Sequence, residues 1–223
     1  MLILYCRRSR IGSFVIALFD NEAGSDQTPY MKLTIVFLLA SVVFPAVTPA
    51  QAPVFEFTRV ESAMKFDVEA SVAIVGKFEK WDATVTFTSP KLSTAVLDIR
   101  IQAATVDTGS GMKNGKLKSK DFFDVDNNPL ITFHSTKVEQ TGPDTVVFDG
   151  DFTIRGVTKQ EKLTFAISGK GTGTGTVKGT MAFDRKDYGM NKGIPLVKIA
   201  DRVEVSVDLK GKRVSGPPVV FTQ

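Results

Sequence analysis

Few residues in this chain can do bond chemistry. His134 is the only histidine and Cys6 the only cysteine in 223 residues. A serine–histidine–acid site would need His134 as its base, and no Gly-x-Ser-x-Gly elbow accompanies it. His134 alternates with Phe133, so an inward Phe133 turns His134 outward. Asp124, Asp126 and Asn128 have the spacing that opens a calcium loop. However, Pro129 stands at the glycine position and Ser135 at that of the bidentate glutamate. The stretch therefore reads as an Asx-rich turn that ends a helix. Glu161, Asp184, Asp187 and Asp201 are scattered and form no acid/base pair by spacing. No catalytic, metal or cofactor site is expected, and an enzyme is the weakest reading.

The N-terminal 50 residues do not read as folded protein. Met31-Lys32, the apolar run Leu33 to Phe44 and the small residues up to Ala50 have the order of a secretory signal peptide. Residues 1–30 are read as an extension upstream of the true start at Met31. Residues 51–223 form one domain, with no second domain and no internal repeat. Cleavage would remove Cys6, leaving a cysteine-free domain held by its core. The expected location is periplasmic or secreted, with the domain soluble after cleavage. Lys and Asp alternate without a basic block, so nucleic acid is not an expected partner.

What would position any site is a set of strands. Period-two alternation marks Lys65–Ala70, Ala83–Thr88, Leu97–Gln102 and Val203–Leu209. Four further runs lie at Ile131–Val138, Val146–Ile154, Glu161–Ser168 and Thr174–Phe183. Gly, Pro, Asn and Asp separate them. The expected fold is all-β, a single antiparallel up-and-down barrel of about eight strands. That number leaves room inside for one small ligand. A short helix near residues 112–123 carries Phe122 and Phe123 and is expected to cover one end.

The chain has 17 phenylalanines, of which Phe14, Phe19, Phe37 and Phe44 belong to the leader. Many of the rest fall on inward faces, including Phe66, Phe87, Phe133, Phe148, Phe152, Phe165 and Phe183. Such a barrel is either packed solid or lines an apolar cavity. Alternation does not separate these, and packing favours the first. Trp81, across a turn from Phe78, reads as core.

Six segments, in order, resemble the YceI-like family of exported lipid-binding (polyisoprenoid-binding) domains. They are Val75-Gly-Lys-Phe78, Val106-Asp-Thr-Gly109, Leu117–Asp124, Pro129–Phe133, Gly150–Thr158 and Asp184–Met190. The resemblance implies a lipocalin-like barrel with a long apolar tunnel for an isoprenoid, quinone-like or fatty amphiphile. The residues then expected to line it are Phe66, Val68, Phe78, Trp81, Leu97, Ile99 and Ile101 on the first half of the chain. Phe122, Phe123, Phe133, Phe148, Phe152, Phe165, Phe183 and Met190 complete the set. In one place the chain departs from the family, where Asn114 and Lys116 replace an Asp and a His, which puts the head-group preference in question. The alternative is an extracellular interaction module with a filled core and no ligand; a homodimer is left open.

Overall fold

The computed structural model describes residues 51–58, 62–71, 74–193 and 197–221. Residues 1–50, read from the sequence as an upstream extension and a signal peptide, lie with Cys6 outside the described residues. Each of the eight alternating runs is a strand, because each buries one face and wets the other. In chain order the strands are β1 (Val54–Phe57), β2 (Ala63–Ala70), β3 (Ile74–Phe78), β4 (Trp81–Thr86), β5 (Val96–Gln102) and β6 (Val106–Asp107). They continue with β7 (Leu130–Gln140), β8 (Thr145–Ile154), β9 (Val157–Ser168), β10 (Thr174–Asp184) and β11 (Ile199–Ser215). Among the described residues the strands number eleven, against the expected eight or so. The additions, β1, β3 and β6, have five residues or fewer, too short for alternation to announce them.

All the strands join one sheet in the order β4-β5-β7-β8-β9-β10-β11-β2-β3-β6, with β1 added to β11. The pairings are antiparallel throughout. The order is an up-and-down meander curled on itself, so that the N-terminal strands follow the last one. This is the barrel expected from the sequence. The long β11 makes the curl work. Its first half pairs with β2, and Gly211 to Ser215 pair with β1. At the other seam the turn after β3 is tied to β5 and its exit, with Gln102 N donating to Lys80 O at 2.9 Å and Glu79 N to Thr105 O at 3.2 Å.

Helix α1 spans Gly111–Lys118. It is capped by Ser110, whose hydroxyl accepts from Lys113 N. It stops five residues short of the expected end. Ser119 leaves the helical region and donates its hydroxyl to Lys116 O at 2.7 Å. Phe122 and Phe123 therefore sit in the following turns, where Phe123 N donates to Leu117 O at 2.9 Å. Freed from helical spacing, both adjacent rings are buried.

The bend in β7 shows how one residue resets register. The ladder to β8 slips between Ser135 and Lys137. Ser135 is buried there, and its hydroxyl accepts from Leu97 N at 2.8 Å, replacing a backbone partner. Opposite the bend sits Gly150, where any Cβ would overlap the His134 carbonyl. Close backbone approach explains that glycine.

Candidate functional site: an apolar interior in two lobes

All fifteen residues picked from the sequence are buried. Two apolar cavities lie among the described residues, and twelve of the fifteen line one or other of them. The larger, lobe 1, is about 150 Å³ and includes Leu97, Phe148 and Phe165 in its wall. The smaller, lobe 2, is about 80 Å³. Phe66, Val68, Phe78, Ile101, Phe122 and Phe123 line one part of lobe 2, and Phe152, Phe183 and Met190 another. Trp81, Ile99 and Phe133 line neither and pack in the core between or beside the lobes.

The waist between the lobes can be read along each strand. On β5, Leu97 faces lobe 1 and Ile101 lobe 2, with Ile99 between them. Phe133 pairs across from Ile99. On β10, Val177 faces lobe 1 and Phe183 lobe 2, and Met181 lies between. On β11, Val207 lies between Leu209 and Val205. Leu163 precedes Phe165 on β9 and is 2% exposed. Ile99, Phe133, Leu163, Met181 and Val207 thus line neither lobe and are buried at strand positions between those that do.

The lobes are hollow for a local reason. Phe165 pairs across from Gly179, and Phe66 across from Gly76. A Cβ at either glycine would overlap the facing ring. Each ring therefore lies flat against its neighbour strand instead of reaching to the centre. Phe57 repeats the arrangement over Gly211. Aromatic rings covering glycines in this way also stabilise the sheet.

Lobe 2 is covered by the turns after α1. The Phe123 ring meets those of Phe66 and Phe78 at 6.4 and 5.9 Å between centroids. Lys116 Nζ sits 5.8 Å from the Phe122 centroid and pairs with Asp121 at 2.7 Å. The cover is braced by Arg155, whose guanidinium donates to Lys120 O at 2.8 Å and to Gly189 O. Arg185 is buried beside this lobe, donates to the carbonyls of Ala200, Met190 and Lys192, and pairs with Asp201 at 2.9 Å. Tyr188, fully buried, donates to Glu161 Oε1 at 2.8 Å, and burial holds its hydroxyl far above the ordinary range.

Asn114 and Lys116, the positions that depart from the family pattern, face neither lobe. Asn114 Oδ1 accepts from Thr108 N and Oγ1 at 2.8 and 2.7 Å, and its amide donates to Asp107. Here they hold the helix in place. His134 is exposed on the outer face, with Nδ1 2.7 Å from Asp98 Oδ1. Asp124 accepts from the side-chain amides of Asn127 and Asn128, so the Asx-rich stretch is a turn bonded to itself.

The braces around α1 and the Arg185 end carry a pH dependence. Gly109 N–H and Asn114 hold the Asp107 carboxyl low, Lys116 does so for Asp121, and Lys186 and Arg185 for Asp201. A carboxyl lowered in the folded state stabilises above the unfolded value, and that stability is lost as pH falls through the folded one. The melting temperature should be level near neutrality and fall below about pH 4. Thermal unfolding across a pH series checks this, and a rise on acidification would contradict it. Because these groups are exposed, the fall should be gentle and weaken with salt.

Sequence reasoning missed part of the lobe 1 wall: Phe55, Phe57, Val219 and Phe221, together with Lys170 and Arg213. The first two have period-two spacing that four residues make too brief to trust. The tail was legible only as irregular, because Gly216-Pro217-Pro218 precedes it.

A family model for the YceI-like domain matches residues 55–211. A UPF0312 protein of Pseudomonas savastanoi is 32% identical over 133 residues, 57% of this chain and 69% of that protein. One from Azotobacter vinelandii is 26% identical over 145 residues, 63% and 74% of the two chains. Among solved structures, Burkholderia cenocepacia BcnA superposes with a TM-score of 0.63 at 24% identity, covering 70% of this chain and 99% of its own. A polyisoprenoid binding domain from Saccharophagus degradans gives 0.56 at 12% identity, covering 72% and 99%. At these identities the structures share the fold.

Proposed function

The chain belongs to the YceI-like domain family, and from that premise we propose that it is an exported carrier that sequesters an isoprenoid-like or other single-chain amphiphile inside its barrel. The observation that carries this is the pair of apolar lobes walled by phenylalanine rings folded against the sheet. A fully packed interaction module has no use for that space. The likeness to a polyisoprenoid binding domain supports the lipid class, and the signal-like segment before residue 51 supports export to the periplasm or medium.

Burial of apolar surface supplies the affinity. Each methylene withdrawn from water contributes about 0.8 kcal/mol, before the cost of ordering the chain. A cavity of lobe 1's size holds a benzene-sized group in other proteins. A longer chain must therefore use the mouth or part the waist. The test is solvent extraction of purified protein followed by mass spectrometry, paired with uptake of lipophilic probes. A co-purifying lipid or saturable uptake supports the reading; neither, in protein shown to be folded, overturns it.

A further inference from the structure

Among the described residues lining lobe 1, the ionisable ones are Lys170 and Arg213, and none is acidic. Both lie at its rim, where the glycine-rich turn between β9 and β10 meets the C-terminal segment. From this we infer that lobe 1 is the ligand's entrance and takes a single-chain amphiphile with an anionic head, tail inward and head against Lys170 and Arg213. The inference rests on the carrier reading above and assigns its ligand class and orientation.

The rim is built so that cations stand over an apolar floor. Lys170 Nζ lies 4.6 Å from the centroid of Phe221, whose ring belongs to the wall. Its side chain is 26% exposed, while its partner Asp144, at 2.6 Å, is 69% exposed. With Asp144 so open to water the pair contributes little, and a head group can take the place of Asp144 while Lys170 keeps its hydrogen bond to Pro143 O. Arg213 donates one guanidinium nitrogen to Gly216 O. Guanidinium further presents several donors in a planar fork suited to carboxylate or phosphate. The turn itself adds no obstruction. A side chain at Gly171 or Gly173 would meet only open space, and positive φ angles of 79° and 81° require glycine there.

Lobe 2 has two basic residues in its lining, the exposed Lys65 and the buried Arg185. Arg185 is committed to three carbonyls and Asp201, and the turns carrying Phe122 and Phe123 cover that lobe.

The experiment holds the tail constant and changes the head. Decanoate, decanol and decyltrimethylammonium compete with the neutral fluorophore N-phenylnaphthylamine for the purified protein, below their micelle concentrations. Decanoate should bind about tenfold tighter than decanol, and the trimethylammonium compound weaker than either. In Lys170→Gln/Arg213→Gln protein, decanoate should fall to the level of decanol, while decanol stays unchanged and so reports an intact barrel. Equal binding of all three heads overturns the head-group assignment and leaves the carrier reading standing. Equal losses of decanoate and decanol in the variant overturn it too. Failure of every probe to saturate overturns the carrier reading itself.

Discussion

Gly179→Val is expected to cut uptake of apolar ligands by lobe 1 at least tenfold while lowering stability by about 1–3 kcal/mol, the usual cost of overpacking. The valine itself fits the local backbone, since Gly179 lies in the middle of β10 without a positive φ. What it displaces is the ring of Phe165, its partner on β9. Phe165 is 2% exposed and is edged by Phe148 at 5.7 Å. The ring cannot swing to solvent, so it swings into the cavity. Lobe 1 is about 150 Å³, which in other proteins admits about one benzene. A phenyl ring turned into it consumes most of that room. Denaturant unfolding reads the stability and fluorophore titration the uptake. Adding Phe165→Leu to Gly179→Val should restore uptake by giving the space back. Unchanged uptake in the single variant would show that the glycine notch does not keep the lobe open.

That dependence on a paired glycine marks where reading the sequence stops. The strands were legible because one face of each is wet. Val203, Val205, Val207 and Leu209 alternate with Glu204, Ser206 and Asp208, and burial follows the same period along β11. Inward phenylalanines were legible for the same reason. Their final direction was not. Whether the Phe66 or Phe165 ring fills the centre or lies against the wall depends on which residue stands opposite. Only register supplies that: Gly76 and Gly179 are 10 and 14 positions away in the chain. The waist was hidden likewise. Ile99, Leu163, Met181 and Val207 look like any other inward residues until the strands are laid side by side. The helix end was misplaced because Phe122 and Phe123 invited a helix to carry them, whereas Ser119 ends it first. The mouth was least visible, since Lys170 and Arg213 become neighbours of one cavity only after β9, β10, β11 and the tail are assembled.

Met181→Ala is expected to lengthen the preferred ligand. In the parent protein, a tail entering lobe 1 meets the waist, and methylenes beyond that point stay outside the wall. Affinity for alcohols should therefore rise with chain length and then level off. Met181 is 8% exposed and lies between a lobe 1 residue, Val177, and a lobe 2 residue, Phe183, on the same strand. Its removal opens a passage toward the further 80 Å³ of lobe 2. Four methylenes that cross the waist would add about 3 kcal/mol, on the order of a hundredfold in affinity. The plateau should then give way to a continued rise from decanol to hexadecanol. The substitution costs about 2–5 kcal/mol of stability without ligand, so Met181→Val serves as the milder test, and a bound long-chain alcohol should recover part of the loss. A chain-length profile identical to the parent's, in folded variant protein, would mean that Met181 does not gate the interior. The opposite outcome would make the waist the feature that sets ligand length, since an apolar tube has little besides length and width by which to select.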